Sequence, residues 1–340
     1  MSQSKIPQGP FLFPRSTPQL LSLVLPIFNE EEIIPLLRAR LGALADRLPM
    51  KVEFVLVNDG SSDHSLSLLV EWSRGDKRAV VVDFARNFGH QAAVTAGLDY
   101  AQGDAVVIMD ADLQDPPELV ETMLQRYQEG YDVVYARRVS RDGETFFKRL
   151  TASLFYKLMK KFVHPDLPAD TGDFRLVSAE AAKAIGTMRE GHRFLRGMFT
   201  WIGFNQIAVE YDRAARPAGV TKYPLSKMLR FAWDAIISFS SLPLRISAYA
   251  GAIISFLGIC YGAYSIVQKY IFHSTVTGWT SLIILLSIFS GFILVSLGLI
   301  GEYVGRIYEE IKQRPLYLVR RSYNTSTRFH GHRGAGPGHP

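Results

Sequence analysis

Short apolar runs alternate with longer amphipathic stretches through the first part of this chain. Leu21–Ile27, Val52–Val57, Ala79–Phe84, Ala105–Met109 and Asp132–Tyr135 are predicted strands, rich in branched aliphatic residues and bounded by turn-forming ones. Between them Glu30–Leu48, Asp63–Arg74, His90–Ala101 and Pro117–Glu129 are predicted helices. Such alternation predicts a mostly parallel sheet covered by helices on both faces, with ligands bound beyond the carboxyl ends of the strands.

The pattern then changes. Ile246–Gln268 contains no Asp, Glu, Lys or Arg, and neither does Ile271–Gly301. Each is long enough to cross a hydrocarbon core that needs about 20 helical residues, so two spans are predicted. Lys222, Lys227, Arg230 and Arg245 precede the first and Arg306, Lys312, Arg314, Arg320 and Arg321 follow the second, whereas the connection carries only Lys269 and His273. The positive-inside bias places both termini and the first 240 or so residues in the cytoplasm. The start of the chain carries no basic-then-apolar leader. The expected location is the plasma (inner) membrane.

Composition sharpens this picture only a little. The 340 residues are 48% hydrophobic with a net charge of +6, yet mean hydropathy is only +0.07, because a charged front precedes an apolar back. The modest positive charge fits attraction to anionic headgroups and gives no indication of nucleic-acid binding. The single Cys260 excludes an intramolecular disulfide.

Candidate chemistry gathers at the strand exits: Asn29-Glu30, Asn58-Asp-Gly-Ser-Ser-Asp63, Arg86-Asn-Phe-Gly-His90 and Asp110-Ala-Asp112-Leu-Gln114. On an extended strand Asp110, Asp112 and Gln114 would share one face. Hard oxygen donors so placed suit Mg²⁺ or Mn²⁺, with a substrate diphosphate completing the shell. Taken alone, Asp-x-Asp could equally be a solvated turn and cap. His90, opening a helix, reads as a loop residue. No Gly-x-Gly-x-x-Gly follows the first strand and no P-loop motif occurs, which removes the main support for dehydrogenase and P-loop NTPase readings.

Leu25-Pro-Ile-Phe-Asn-Glu-Glu31, Val57-Asn-Asp-Gly-Ser-Ser-Asp63 and Met109-Asp-Ala-Asp112 resemble the family 2 glycosyltransferases. Arg86-Asn-Phe-Gly-His-Gln91, Asp112-Leu-Gln-Asp-Pro-Pro-Glu118 and Thr171-Gly-Asp-Phe-Arg175 resemble their polyprenyl-phosphate branch, which includes dolichol-phosphate mannose synthases and bactoprenol glucosyltransferases. The resemblance implies a GT-A fold in which Pro26, Phe28 and Glu30 hold the nucleoside, Asp59 meets the base and Asp110 the ribose. It also implies that Asp112 and Gln114 bind the metal bridging the diphosphate. A carboxylate near Asp173 faces the acceptor in that family, making Asp173 the leading candidate for general base and Asp170 the second. A phosphate monoester is largely dianionic at neutral pH, however, so Asp173 could instead orient the acceptor or a basic partner. Pairing with Arg175 to hold a loop is a third reading.

Phosphate on the acceptor calls for cations near the bilayer, and Arg213, Arg216 and Lys222, with Tyr223 beside them, are the expected contacts. A juxtamembrane cluster serving only headgroups is the competing reading. Residues 216–243 then read as amphipathic helices in the interfacial plane. The expected organisation is a disordered stretch over 1–20, a GT-A domain over 21–215, that interfacial region, spans at 244–270 and 279–303, a cytoplasmic segment over 304–321 and a disordered tail over 322–340. The expected activity is inverting transfer of a hexose, with UDP-glucose the expected donor, to the phosphate of undecaprenyl phosphate in a homo-oligomeric membrane enzyme. A processive polysaccharide synthase and a non-catalytic sugar-nucleotide-binding scaffold are the alternatives.

Overall fold

The computed structural model describes residues 12–138, 171–211, 242–271 and 278–325. They form two compact units: one holds the described residues up to 211 together with 315–325, the other holds 242–271 and 278–314.

The first unit is built on one eight-stranded sheet in the order β7-β5-β6-β4-β1-β2-β3-β8. Its strands are β1 Leu20–Ile27, β2 Lys51–Asn58, β3 Ala79–Phe84, β4 Ala105–Ile108, β5 Val133–Arg138, β6 Thr171–Ser178, β7 Gln206–Tyr211 and β8 Val319–Tyr323. β1 is central and parallel to both β2 and β4, whereas β6 and β8 run antiparallel to their neighbours. The five predicted strands are all present. β6, β7 and β8 add to them, and β8 carries the ordered chain to Tyr323, past the predicted start of the tail at 322.

Alternation along β1 sorts the helices. Leu21, Leu23, Leu25 and Ile27 point into a fully buried cluster with Leu37 and Leu41 of α1 (Ile34–Arg47), Leu69 and Trp72 of α2 (Ser65–Gly75), and Val120 and Met123 of α4 (Leu119–Gln128). Val24 points the other way, against α3 (His90–Tyr100). A Cβ on Gly97 would lie 2.1 Å from a Val24 methyl; only glycine lets α3 press this closely on the sheet. α5 (Ala179–Thr187) neighbours α3, and α6 (Leu195–Trp201) leads into β7. The predicted helices start later than expected at Glu30 and Asp63, because residues 30–33 and 61–64 form turns that tie the first two strand exits together.

Pro26 opens the sheet where it matters. β1 and β4 remain paired as far as Val24 and Ile108, with Met109 N–H reaching Val24 O at 3.1 Å. Two residues on, Pro26, which has no N–H to donate, faces the same side just past the end of that ladder. β1 and β4 part at this point, and neighbouring connections leave to opposite sides; this is the crevice in which open α/β sheets bind ligands.

The second unit is a helical hairpin of α7 (Leu242–Tyr270) and α8 (Trp279–Ile311). Pro243–Tyr270 and Ile284–Ile311 are each long and apolar enough to cross a membrane, with apolar side chains such as Phe256, Ile259, Leu294 and Val295 exposed. α8 runs eight residues beyond the predicted end at 303. Small residues bring the two together: Gly251 abuts Phe292, Gly258 abuts Phe289, and the Ser247 and Ser296 hydroxyls lie 2.7 Å apart.

Candidate active site

The strand exits are laced to one another before any ligand is considered. Asn29, at φ 55°, accepts from Ser62 N–H at 2.8 Å, while Glu30 N–H donates to Ser65 Oγ and Glu31 N–H to Asp63. Gly60 (φ +68°) lets the β2 exit lie on the β3 exit, since a Cβ there would sit 2.5 Å from Arg86 C and Asn87 N. That approach puts Asp59 under the next loop. Its carboxylate accepts from Phe88 N–H at 2.7 Å and Gly89 N–H at 3.0 Å. Burial raises the Asp59 pKa, against the pull of those two amides.

At the β4 exit the expectation of strand alternation fails. β4 ends at Ile108, and residues 111–113 turn, with Leu113 at φ 54° and its side chain buried. A left-handed leucine costs on the order of 1–3 kcal/mol, here held by core packing. The turn, closed by Gln114 N–H donating to Asp112 Oδ1 at 3.1 Å, replaces an extended strand as what carries Asp110, Asp112 and Gln114. Asp115, next in line, is buried and accepts from the Tyr211 hydroxyl, with Arg138 3.9 Å away. It thereby ties the β4 exit to β5 and β7, and burial followed by the bond to Asp115 pushes the Tyr211 phenol up to about 12.

Antiparallel register places β6 so that Ile108, the last residue of β4, faces Arg175, and Asp173, two residues before Arg175, lies at the exit that carries Asp110. Two carboxylates so placed repel, and a histidine stands between them. His90 Nε2 lies 3.0 Å from Asp173 Oδ2 and 3.7 Å from Asp110 Oδ1. On its other edge Asp173 Oδ1 accepts from Arg196 Nε of α6 at 2.8 Å, with Arg175 3.8 Å away. Arg175 is interior, donating to the Gly172 and Asp173 carbonyls and lying over the Phe199 ring at 4.4 Å. Gln91 Oε1 accepts from Leu195 N–H at 2.9 Å, fixing the start of α6 against α3.

These contacts separate the acids electrostatically. Desolvation, reinforced by Asp173, Asp112 and Asp115 against the pull of His90, pushes Asp110 up to about 6. Burial would raise Asp173 as well, but Arg196, His90 and Arg175 outweigh it and hold this carboxyl well below the usual range. His90 is raised: burial opposes its charge, and the Asp173 hydrogen bond and Asp110 prevail. Burial brings Arg175 down to about 10, still cationic at neutral pH. A carboxylate held this low is a poor proton acceptor.

The predicted residues thus fall into groups. Phe28 is half exposed at the crevice, Glu30 lies beside it, and Pro26 is buried in β1. Asp59, Asp110, Asp112, Gln114 and Asp173 occupy the exits of β2 and β4 and the adjoining start of β6. Asp170, Arg213, Arg216, Lys222 and Tyr223, and the predicted interfacial helices, lie outside the described residues. His90 is not the plain loop residue expected; it joins the two acids. Its place within Arg86-Asn-Phe-Gly-His-Gln91 was the available signal. Arg196 had none, standing alone in an apolar stretch. Among the described residues no three His, Cys, Asp or Glu side chains form a closed metal site. The Asp112 carboxylate and the Gln114 carboxamide are hard oxygen donors, of the kind that could hold a Mg²⁺ whose other ligands come from a bound diphosphate and water.

A mostly parallel eight-stranded sheet with acids at the β4 exit, in one chain with two apolar helices, defines a GT-A-like domain that carries a helical hairpin between β7 and β8. Residues 22–186 match the family described as glycosyl transferase family 2, and 242–307 match the GtrB C-terminal hairpin. The chain is 50% identical over 302 residues to "Uncharacterized glycosyltransferase YkcC" of Bacillus subtilis (strain 168), covering 89% of this chain and 94% of that protein. It is 40% identical over 303 residues to the "Bactoprenol glucosyl transferase" of Shigella phage SfII, covering 89% and 98%. The chain belongs to the family 2 glycosyltransferases. Among solved structures, glucosyl-3-phosphoglycerate synthase from Mycobacterium tuberculosis, in complex with Mn²⁺, UDP and glucosyl-3-phosphoglycerate, is 21% identical at a TM-score of 0.46, covering 64% of this chain and 78% of that one.

Proposed function

We propose that this enzyme transfers a hexose from a nucleoside diphosphate, with UDP-glucose the expected donor, onto the phosphate of a membrane polyprenol. The observation that carries the reading is a donor-type acidic exit at β4 in the same chain as a hairpin fit to span a bilayer. The names of relatives at 40% identity over nearly their whole length support a bactoprenol acceptor and a glucosyl donor. The hairpin enters from and returns to the catalytic unit, which supports both termini lying on one side of the bilayer. The excess of Lys and Arg flanking the hairpin supports the cytoplasmic side.

In this reading Phe28 and Glu30 flank the nucleoside, Asp59 meets the base and Asp110 accepts from the ribose. Asp112 and Gln114 would hold a divalent cation, whose charge offsets that growing on the departing diphosphate. An oxygen of the lipid phosphate forms the new bond to the anomeric carbon from the face opposite the nucleotide. The bond from that carbon to the diphosphate breaks, its electron pair leaving with the diphosphate oxygen and the configuration inverting. A dianionic phosphate has no proton to surrender, so Asp173, held ionised, serves to orient its basic partners. Incubating the purified full chain with UDP-glucose, divalent cation and undecaprenyl phosphate should yield a lipid-linked phosphosugar. The absence of product with every common sugar nucleotide would overturn the reading.

A further inference from the structure

We propose that Tyr211 and Asp115 are positioning residues for the donor's divalent cation, holding in place the turn from which Asp112 and Gln114 would bind it. The inference rests on the donor reading above and adds two residues that act without touching the cation themselves.

Three observations carry it. First, the turn needs support from outside. Leu113 sits at φ 54°, a conformation uncommon for any residue but glycine. Leu113 and Asp115 are both 1% exposed, whereas Gln114 between them is only half-buried, so two anchored neighbours decide where Gln114 points. Apolar packing anchors the leucine; a hydrogen bond anchors the aspartate. Second, that bond has a fixed direction. The Tyr211 hydroxyl donates to Asp115 Oδ1 and accepts from Arg138 Nε at 3.2 Å. A guanidinium only donates, so Arg138 takes up a lone pair of the phenol oxygen and leaves its proton for the carboxylate. Arg138 also lies 3.9 Å from Asp115 Oδ1 and adds charge attraction. Third, the support is built into the sheet. Arg138 and Tyr211 are register partners across the parallel β5–β7 pair, and Tyr211 belongs to the same buried cluster as Ala111 and Leu113. β6 closes on the network too: a Cβ on Gly172 would lie 3.3 Å from Arg138 Nη2 and 3.9 Å from Asp115 Oδ2. Groups that orient metal-binding side chains in this way set metal affinity without entering the coordination shell.

The test separates metal-dependent from metal-independent binding. Calorimetry on the full chain in detergent micelles gives the UDP Kd with Mg²⁺ or Mn²⁺ and again with EDTA, and the ratio of the two is the enhancement by metal. Wild type, Y211F, D115N and D115A are compared at a temperature where circular dichroism shows each folded. In Y211F and D115A the enhancement should fall about tenfold, the size expected when a group that orients a metal ligand is lost, while the Kd in EDTA stays within about twofold. Phe28, Glu30 and Asp59 are untouched by these changes, which is why the metal-free affinity should hold. D115N, whose amide oxygen still accepts from Tyr211, should keep more of the enhancement than D115A. A Kd in EDTA that rises in step with the Kd in metal would mark a general disturbance of the pocket and overturn the proposal, as would a D115N no better than D115A. Y211F removes only the hydroxyl and decides alone should D115A not fold. A wild type whose UDP affinity ignores metal would take the metal reading down together with the proposal, whereas full enhancement surviving in Y211F overturns the proposal only.

Discussion

Asp110 at the β4 exit and Asp173 in β6 share one histidine: His90 Nε2 lies 3.7 Å from the first carboxylate and 3.0 Å from the second. Without a cation in that position, two acids at the mouth of the crevice would repel. This gives His90 a pH signature. Its pKa is raised in the folded protein, so its contribution to stability is complete below the unfolded value near 6.5 and is lost as pH rises through the folded value. The melting temperature of wild type should exceed that of His90→Gln most at about pH 6, and the gap should narrow above pH 7. A gap that stays constant from pH 6 to 9 would remove the charge from the account.

Asp173 has the opposite sign. Its pKa is lowered in the fold, so the stability it lends is present above the unfolded value near 3.8 and is lost as pH falls through the folded one. Asp173→Asn should therefore destabilise the protein at pH 7 and approach wild type only under strongly acidic conditions. Unfolding monitored by circular dichroism at pH 7 and at steps down to strongly acidic pH checks this.

Asp112 and Gln114 are the proposed metal-facing pair. Calorimetric titration with UDP should show tight binding with Mg²⁺ or Mn²⁺ and about tenfold or greater weakening on chelation. Asp112→Asn should bind UDP weakly whether or not metal is present, and its melting temperature should stay near that of wild type. Metal-enhanced UDP binding that survives in Asp112→Asn would place the cation elsewhere.

Gly60 is where two strand exits touch. Alanine there puts a methyl 2.5 Å from the Arg86 and Asn87 backbone at a φ of +68°, which requires the loop holding the Asp59 carboxylate to move. We expect Gly60→Ala to lose on the order of 1–3 kcal/mol of stability and to weaken UDP binding under conditions where the variant is still folded. Urea unfolding together with UDP titration separates the two effects.

Tyr317 clamps the returning chain to the sheet. Its ring stacks on Phe84 at 5.1 Å, its hydroxyl donates to Asp99 at 2.7 Å, and burial, with Asp99, pushes the phenol pKa well up. Tyr317→Phe should cost about 1 kcal/mol and Tyr317→Ala about 3–5 kcal/mol. Phe84 also meets Phe88 edge-on, and Phe88 N–H holds Asp59, so the alanine variant should lower UDP affinity as well.

Much of this architecture was legible in the order of residues. β1 to β5 announce themselves through runs of branched aliphatic residues, and α7 and α8 through the long uncharged stretches within them. β6 was hidden because its apolar run is short and holds Arg175, whose burial depends on Phe199 from a distant helix. β8 was hidden because Arg320 and Arg321 on an exposed edge strand look like a solvated tail. Asp110, Asp112 and Gln114 were found for the wrong geometric reason: a left-handed leucine, which no periodicity reveals, carries them. His90 and Arg196 acquire meaning only through contacts made across 83 and 23 residues of sequence to Asp173.

Because β8 follows the apolar hairpin in sequence yet completes the sheet beside β3, the hairpin is an insertion within the catalytic fold rather than a removable anchor. Cutting the chain ahead of α7 would remove the outer of β3's two partners and bare one edge of Val81–Phe84 to any passing strand. A soluble version would need residues 315–325 spliced back by a linker, so bilayer attachment and the integrity of the fold are inherited together.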